Sequence, residues 1–177
     1  MKITVLFASP NASGSTMILT SRFADGARKA SHEIEVIDVA HADVAPCTGC
    51  IACGYEGPCV QHDGMNDIRA AILGSDMLVF ATPLYYYGMS AQLKCVVDRF
   101  CAFNSSLNRA HLKSALLTVA WNADDWTFEA LVAHYKTLVR YCNFEDVGMV
   151  LGYGCGSPSM TRQTRYPDDA YELGLSL

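Results

Sequence analysis

Residues 47–59 read CTGCIACGYEGPC, four cysteines at the spacing C-x2-C-x2-C-x5-C. Thiolates so spaced can converge on an iron–sulfur cubane, hold zinc, or open and close as a redox switch. Zinc more often takes two C-x2-C pairs set further apart, which makes it the weaker metal reading for Cys47, Cys50, Cys53 and Cys59. A second stretch, SPNASGST at 9–16, gathers Ser9, Asn11, Ser13, Ser15 and Thr16 around Gly14 just after a first apolar run. Hydroxyls beside the unpaired N–H groups of a starting helix make an anion cradle, although an ordinary Ser/Thr-rich helix cap has the same composition. The stretch lacks the lysine of a P-loop and the G-x-G-x-x-G of a dinucleotide fold, and the later GYGCG at 152–156 has the wrong spacing for that fingerprint. A third stretch, Pro83, Leu84, Tyr85, Tyr86, Tyr87 and Gly88, offers aromatic faces to a flat ring and a glycine that lets backbone come close. Trp121 and Asn122 follow a further apolar run and are expected to close the same site.

Short apolar runs alternate with amphipathic segments along the chain, the pattern of a parallel sheet covered on both faces. Strands are predicted at Ile3–Ala8, Ile34–Val39, Met77–Ala81, Ala115–Trp121 and Val147–Leu151, with Met77–Ala81 central because it is the most apolar run. Between them lie helices from about Thr16, over Met65–Leu73, and along the stripe Leu93, Val96, Val97, Phe100. A longer one is carried by Phe128, Leu131, Val132, Tyr135, Leu138, Val139 and Cys142. A terminal helix is expected around Asp168–Leu175. This is an α/β doubly wound, five-stranded parallel sheet in a three-layer sandwich. Ligands of such sheets bind beyond the carboxyl ends of the strands, where the first three stretches fall.

At 177 residues and 51% hydrophobic content the chain suits one domain, 1–177, with residues 153–177 as a C-terminal extension. A net charge of −5 with no basic block argues against a nucleic-acid partner. No apolar run is long enough for a bilayer, and KITVLFAS is too short for a signal sequence, so a cytoplasmic protein without a membrane partner is expected. Eight cysteines in a reducing compartment point to buried thiols, metal ligation or redox chemistry rather than a disulfide scaffold. Cys95, Cys101, Cys142 and Cys155 are expected to be packing thiols. His41, His62 and His111 stand near no nucleophile or metal motif, so no histidine receives a catalytic role.

The run TPLYYYGMSAQLKCVVDR, 82–99, resembles the flavin-ring loop of the flavodoxin-like NAD(P)H-dependent FMN reductases and their iron–sulfur flavoprotein relatives. Pro83, Tyr85, Gly88, Ala91, Leu93, Lys94, Asp98 and Arg99 match it. The first loop is similar too, with Ala8 and Ser15 where that family more often has Gly and Asn. The resemblance runs from Lys2 to about Gly152. It implies a flavodoxin-like fold, FMN as cofactor, hydride taken from NADH or NADPH at flavin N5, and electrons passed to a small acceptor such as a quinone or a flavin. It also implies a homodimer. Ser9, Asn11, Ser13, Ser15 and Thr16 would then take the phosphate end, and Pro83 to Gly88 with Trp121 and Asn122 the ring. No side chain is needed as a catalytic acid or base. Asp98 and Arg99 are expected as a structural pair, and Arg162 and Arg165 are candidates for the nicotinamide nucleotide.

The cysteine spacing is that of iron–sulfur flavoproteins with a [4Fe-4S] cluster, and an electron carrier of that kind is the alternative function. Cluster-free reductases also carry a cysteine loop leading into a D-x-M helix start, here Asp63 to Met65. The tyrosine loop and the stretch GSPSMTRQTRYP look closer to these, with the loop thiols reduced beside the flavin.

Overall fold

The computed structural model describes all 177 residues. Its five strands are β1 Lys2–Phe7, β2 Glu33–Asp38, β3 Met77–Pro83, β4 Lys113–Val119 and β5 Glu145–Gly152. All neighbours pair in parallel, in the order β2-β1-β3-β4-β5. From β1 the chain steps outward to β2, then returns across β1 to β3, so the order reverses between β1 and β3. Every residue of β3 is buried, as its apolar run requires of a central strand. β2 forms an edge, and it presents Glu33 and Glu35 to solvent, charges that discourage pairing with another chain.

Alternate strand residues feed two cores. Ile3, Val5, Phe7, Val79 and Leu117 face α1 (Ser15–Lys29) and the terminal helix, while Leu6, Leu78, Phe80 and Leu116 face the other side. On that second side lie α2 (Met65–Leu73), α3 (Ala91–Asp98), α4 (Asn104–Ala110) and α5 (Glu129–Tyr141). Met65, Ile68 and Ile72 of α2 are buried as their spacing predicts, and so are Leu131, Tyr135 and Val139 of α5.

Three elements depart from the sequence expectations. The stripe through Phe100 is broken after Asp98, where the chain tightens into a 3-10 turn, Arg99–Phe103, before α4. Pairing of β4 ends at Val119, opposite Pro83, so Ala120 and Trp121 belong to the following loop rather than to the strand. Beyond β5 a short helix α6 (Pro158–Arg162), capped by the Ser157 hydroxyl, precedes α7 (Tyr166–Leu175).

Helices α1 and α7 touch backbone to backbone. A Cβ on Gly26 would stand 2.0 Å from the Tyr171 carbonyl oxygen, and one on Gly174 would stand 2.2 Å from that of Phe23. Residues 153–177 are therefore seated on α1, and the Thr161 hydroxyl donates to Ser15 Oγ at 2.7 Å, beside the first loop.

Candidate functional site

A cavity of about 350 Å3 opens beyond the carboxyl ends of β1, β3 and β4, beside the point where strand order reverses. Ser9, Asn11, Ser15 and Thr16 line one end, and Pro83, Leu84, Tyr85 and Trp121 the other. A second hollow of about 240 Å3 adjoins it, sharing Leu84, Ala120 and Trp121 and adding Tyr86, Tyr87 and Asn122. Of the residues expected from sequence, Ser13 and Gly88 line neither hollow. Ser13 instead holds the turn, its N–H and hydroxyl both donating to Asn11 Oδ1 at 3.1 Å. Gly88 closes the tyrosine turn by exchanging backbone hydrogen bonds with Tyr85 at 3.0 and 3.1 Å.

At the first loop, Gly14 precedes α1 in an extended conformation, and no side chain caps the helix. The hydroxyls thus leave the helix end free rather than capping it. The Ser15 and Thr16 N–H groups have no protein acceptor, since the Asn11 carbonyl is taken by the Gly14 N–H and the Ser9 hydroxyl. Two unpaired donors at the positive end of a fifteen-residue helix form a ready anion site.

At the other end, Ser90 fixes the tyrosine turn against β1. Its hydroxyl donates to the Ala8 carbonyl at 2.9 Å and accepts from the Leu93 N–H as the cap of α3. Tyr86 and Tyr87, the two central residues of the turn, both adopt left-handed backbone (φ 46° and 65°), a conformation that costs a side-chain-bearing residue roughly 1–2 kcal/mol. The Tyr86 side chain is fully exposed, whereas Tyr87 lies against Trp126 with ring centroids 5.1 Å apart. Trp121, 74% exposed, rests directly on Gly156: a Cβ there would lie 2.1 Å from Trp121 Cε3. Only glycine permits that contact. Gly156 and Cys155, both lining the cavity, were not expected from sequence. The signal available was their place, immediately beyond the carboxyl end of β5.

The cysteine loop lies over the 3-10 turn. Arg99, 1% exposed, forms a two-pronged pair with Asp63 (Nη1–Oδ2 2.6 Å, Nη2–Oδ1 3.1 Å) and donates to the Ala45 carbonyl at 2.9 Å. Burial would raise the Asp63 pKa, but hydrogen bonds from Arg99 and from the Met65 and Ala45 amides outweigh it and hold the carboxyl below its ordinary value. Arg99 therefore pairs across the fold, and Asp98 takes Lys94 instead, a correction to the expected Asp98–Arg99 pair. Further along, Glu56 accepts from the Ser106 N–H at 3.1 Å, the Ser106 hydroxyl and Arg109 at 2.9 Å.

Cys47, Cys50, Cys53 and Cys59 all border one cavity of about 420 Å3, and Cys101 joins them. Cys101 is thus no mere packing thiol: its sulfur lies 3.8 Å from that of Cys47. Cys142 and Cys155 are buried as expected, and Cys95 is partly exposed. A cubane needs four sulfurs around one centre, yet no three Cys, His, Asp or Glu side chains gather closely enough to share a metal ion. The donor set as it stands does not fit a cluster.

A doubly wound parallel sheet with an anion-accepting helix end and an aromatic hollow beside its switch point defines a flavodoxin-like, mononucleotide-binding protein. Residues 1–148 match the model of the NADPH-dependent FMN reductase family. The chain belongs to that family: it is an NAD(P)H-dependent oxidoreductase with FMN as its cofactor. An iron–sulfur flavoprotein of Archaeoglobus fulgidus is 28% identical over 155 residues, 87% of this chain and 69% of that protein. One of Methanocaldococcus jannaschii is 32% identical over 99 residues, 56% of this chain and 51% of that protein. Among solved structures, an NAD(P)H:quinone oxidoreductase of Methanothermobacter marburgensis superposes with a TM-score of 0.80 at 17% identity, covering 99% of this chain and 95% of that one. The site fits FMN on its own terms, because the unpaired Ser15 and Thr16 amides suit a phosphate and the glycine-backed Trp121 hollow suits a ring.

Proposed function

We propose that this protein passes electrons from NADH or NADPH, through FMN, to a small aromatic acceptor such as a quinone or a free flavin. FMN supplies the hydride and electron chemistry when bound. The Ser15 and Thr16 amides hold its phosphate, with Ser9 and Asn11 around them, while Tyr85, Tyr86, Tyr87, Trp121 and Asn122 orient the ring and restrict water. The observation that carries this is the joining of the anion cradle to the aromatic hollow through Leu84, Ala120 and Trp121. The whole chain acts as one domain, in the cytoplasm, and pairs as a homodimer.

Asn11→Asp tests the phosphate end. The substitution keeps the side-chain oxygen that Ser13 uses and places a negative charge in the cradle. FMN affinity should fall at least tenfold in a fluorescence-quenching titration, and riboflavin, which lacks the phosphate, should bind the two proteins alike. An equal loss for both ligands, or none for either, would refute the assignment.

The alternative, an electron carrier with a [4Fe-4S] cluster on Cys47, Cys50, Cys53 and Cys59, draws support from the names of its relatives and from the shared cavity those cysteines border. It requires the four sulfurs to converge from their present positions. Iron and acid-labile sulfide assayed on anaerobically purified protein separate the two readings.

A further inference from the structure

Cys101 lies 54 residues from Cys47 in the chain, yet their sulfurs are 3.8 Å apart, so closing a bond of about 2.05 Å asks for a shift of less than 2 Å. The backbone around the pair is already fixed. Arg99, two residues before Cys101, donates to the carbonyl of Ala45, two residues before Cys47, and its pairing with Asp63 fastens the far end of the loop. Glu56, held by Ser106 and Arg109, fastens the middle to α4. The segment that carries Cys101 therefore grips the cysteine loop at three other places and holds the two sulfurs in contact.

We propose that Cys47 and Cys101 are a redox-active dithiol that closes to a disulfide by exchange with a low-molecular-weight disulfide. The Cys47 thiolate attacks one sulfur of RS–SR, forming a mixed disulfide and expelling RS⁻, which takes a proton from solvent. Cys101 Sγ, losing its proton, then attacks the Cys47 sulfur, forming the Cys47–Cys101 bond and expelling the second RS⁻. The two protein thiols give up two electrons and two protons, and the small disulfide is reduced to two thiols. The order of attack follows from the surroundings. The Gly49 N–H points at Cys47 Sγ at 3.5 Å, an amide contact that Cys101 Sγ does not have, and this contact marks Cys47 as the first attacker. The cavity shares no lining residue with the flavin cavity, so the dithiol stands apart from FMN binding.

The test uses full-length reduced protein and oxidised glutathione as the probe, followed by alkylation, thiol titration and peptide mass spectrometry. Two of the eight thiols should disappear, a single linked peptide should join Cys47 to Cys101, and dithiothreitol should restore both thiols. Cys101→Ser should keep a glutathione adduct on Cys47, and Cys50→Ser should leave the link intact. Eight thiols remaining in the wild type would overturn the proposal. So would links confined to Cys47, Cys50, Cys53 and Cys59, loss of the link in Cys50→Ser, or iron and sulfide bound to these cysteines after anaerobic purification. The wild-type peptide map decides the matter even where a variant fails to fold.

Discussion

Asp63 and Arg99 show how much of the cysteine loop's order depends on one buried pair. Both prongs of the guanidinium are used, and Asp63 also accepts from the Ala45 and Met65 amides. Removing one partner leaves the other buried and uncompensated, so Arg99→Met should cost about 3 kcal/mol in urea unfolding at pH 7. The pH dependence follows in sign from the lowered Asp63 pKa. In the unfolded chain the carboxyl titrates near its ordinary value of about 3.9, so the contribution is complete above that pH and disappears as pH falls through the lower folded value. Urea midpoints measured downward from pH 5 should drop less steeply for Asp63→Asn than for the wild type. Parallel acid limbs would show that the pair is not what holds the loop. At the same scale, the cost of two consecutive left-handed tyrosines makes sense only where turn geometry matters more than local stability.

Among the elements, the contact of α1 with α7 helps to position the helix end proposed as the anion cradle, because α1 begins at Ser15 and α7 packs against its second half at Phe23, Gly26 and Ala27. Gly26→Ala gains about 1 kcal/mol of helix propensity but forces a methyl group into the Tyr171 carbonyl. The steric term wins, since backbone rather than a mobile side chain is in the way. We expect a net loss of about 2 kcal/mol in urea unfolding, and a neutral or stabilising effect would mean that the helices can separate without cost. The same elements show what the sequence could and could not reveal. β3, α2 and α5 were legible because their apolar residues keep one period throughout, as Ile68 and Ile72 do, or Leu131, Tyr135 and Val139. Helix α4, NSSLNRA, buries only Leu107, and five-residue α6 completes barely one turn, so neither carries a period to read. The cradle and the tyrosine turn were legible because each lies within one loop. The pairs Arg99–Asp63, Cys47–Cys101 and Trp121–Gly156 join residues more than thirty positions apart, and nothing in the spacing of a single sequence announces such meetings.

For the molecule as a whole, the cavity proposed for the flavin is where otherwise separate parts converge: the first turn of α1, the loops after β3 and β4, and Cys155 and Gly156 from the C-terminal segment. A ligand bound there is lost on unfolding, so its binding free energy adds to the stability of the entire fold rather than of one loop. At a free FMN concentration one hundred times its dissociation constant the gain is about 2.7 kcal/mol. For a chain of this size each kcal/mol is worth roughly 2–4 °C, which places the expected rise in melting temperature at about 5–10 °C. Riboflavin at the same concentration should give a smaller rise, because it leaves the Ser15 and Thr16 amides without a phosphate. The shift should also grow with the logarithm of FMN concentration, since every part of the cavity is lost in one transition. Differential scanning calorimetry of the ligand-free protein across an FMN series checks this directly. A melting temperature indifferent to FMN would mean that the converging loops do not form one site.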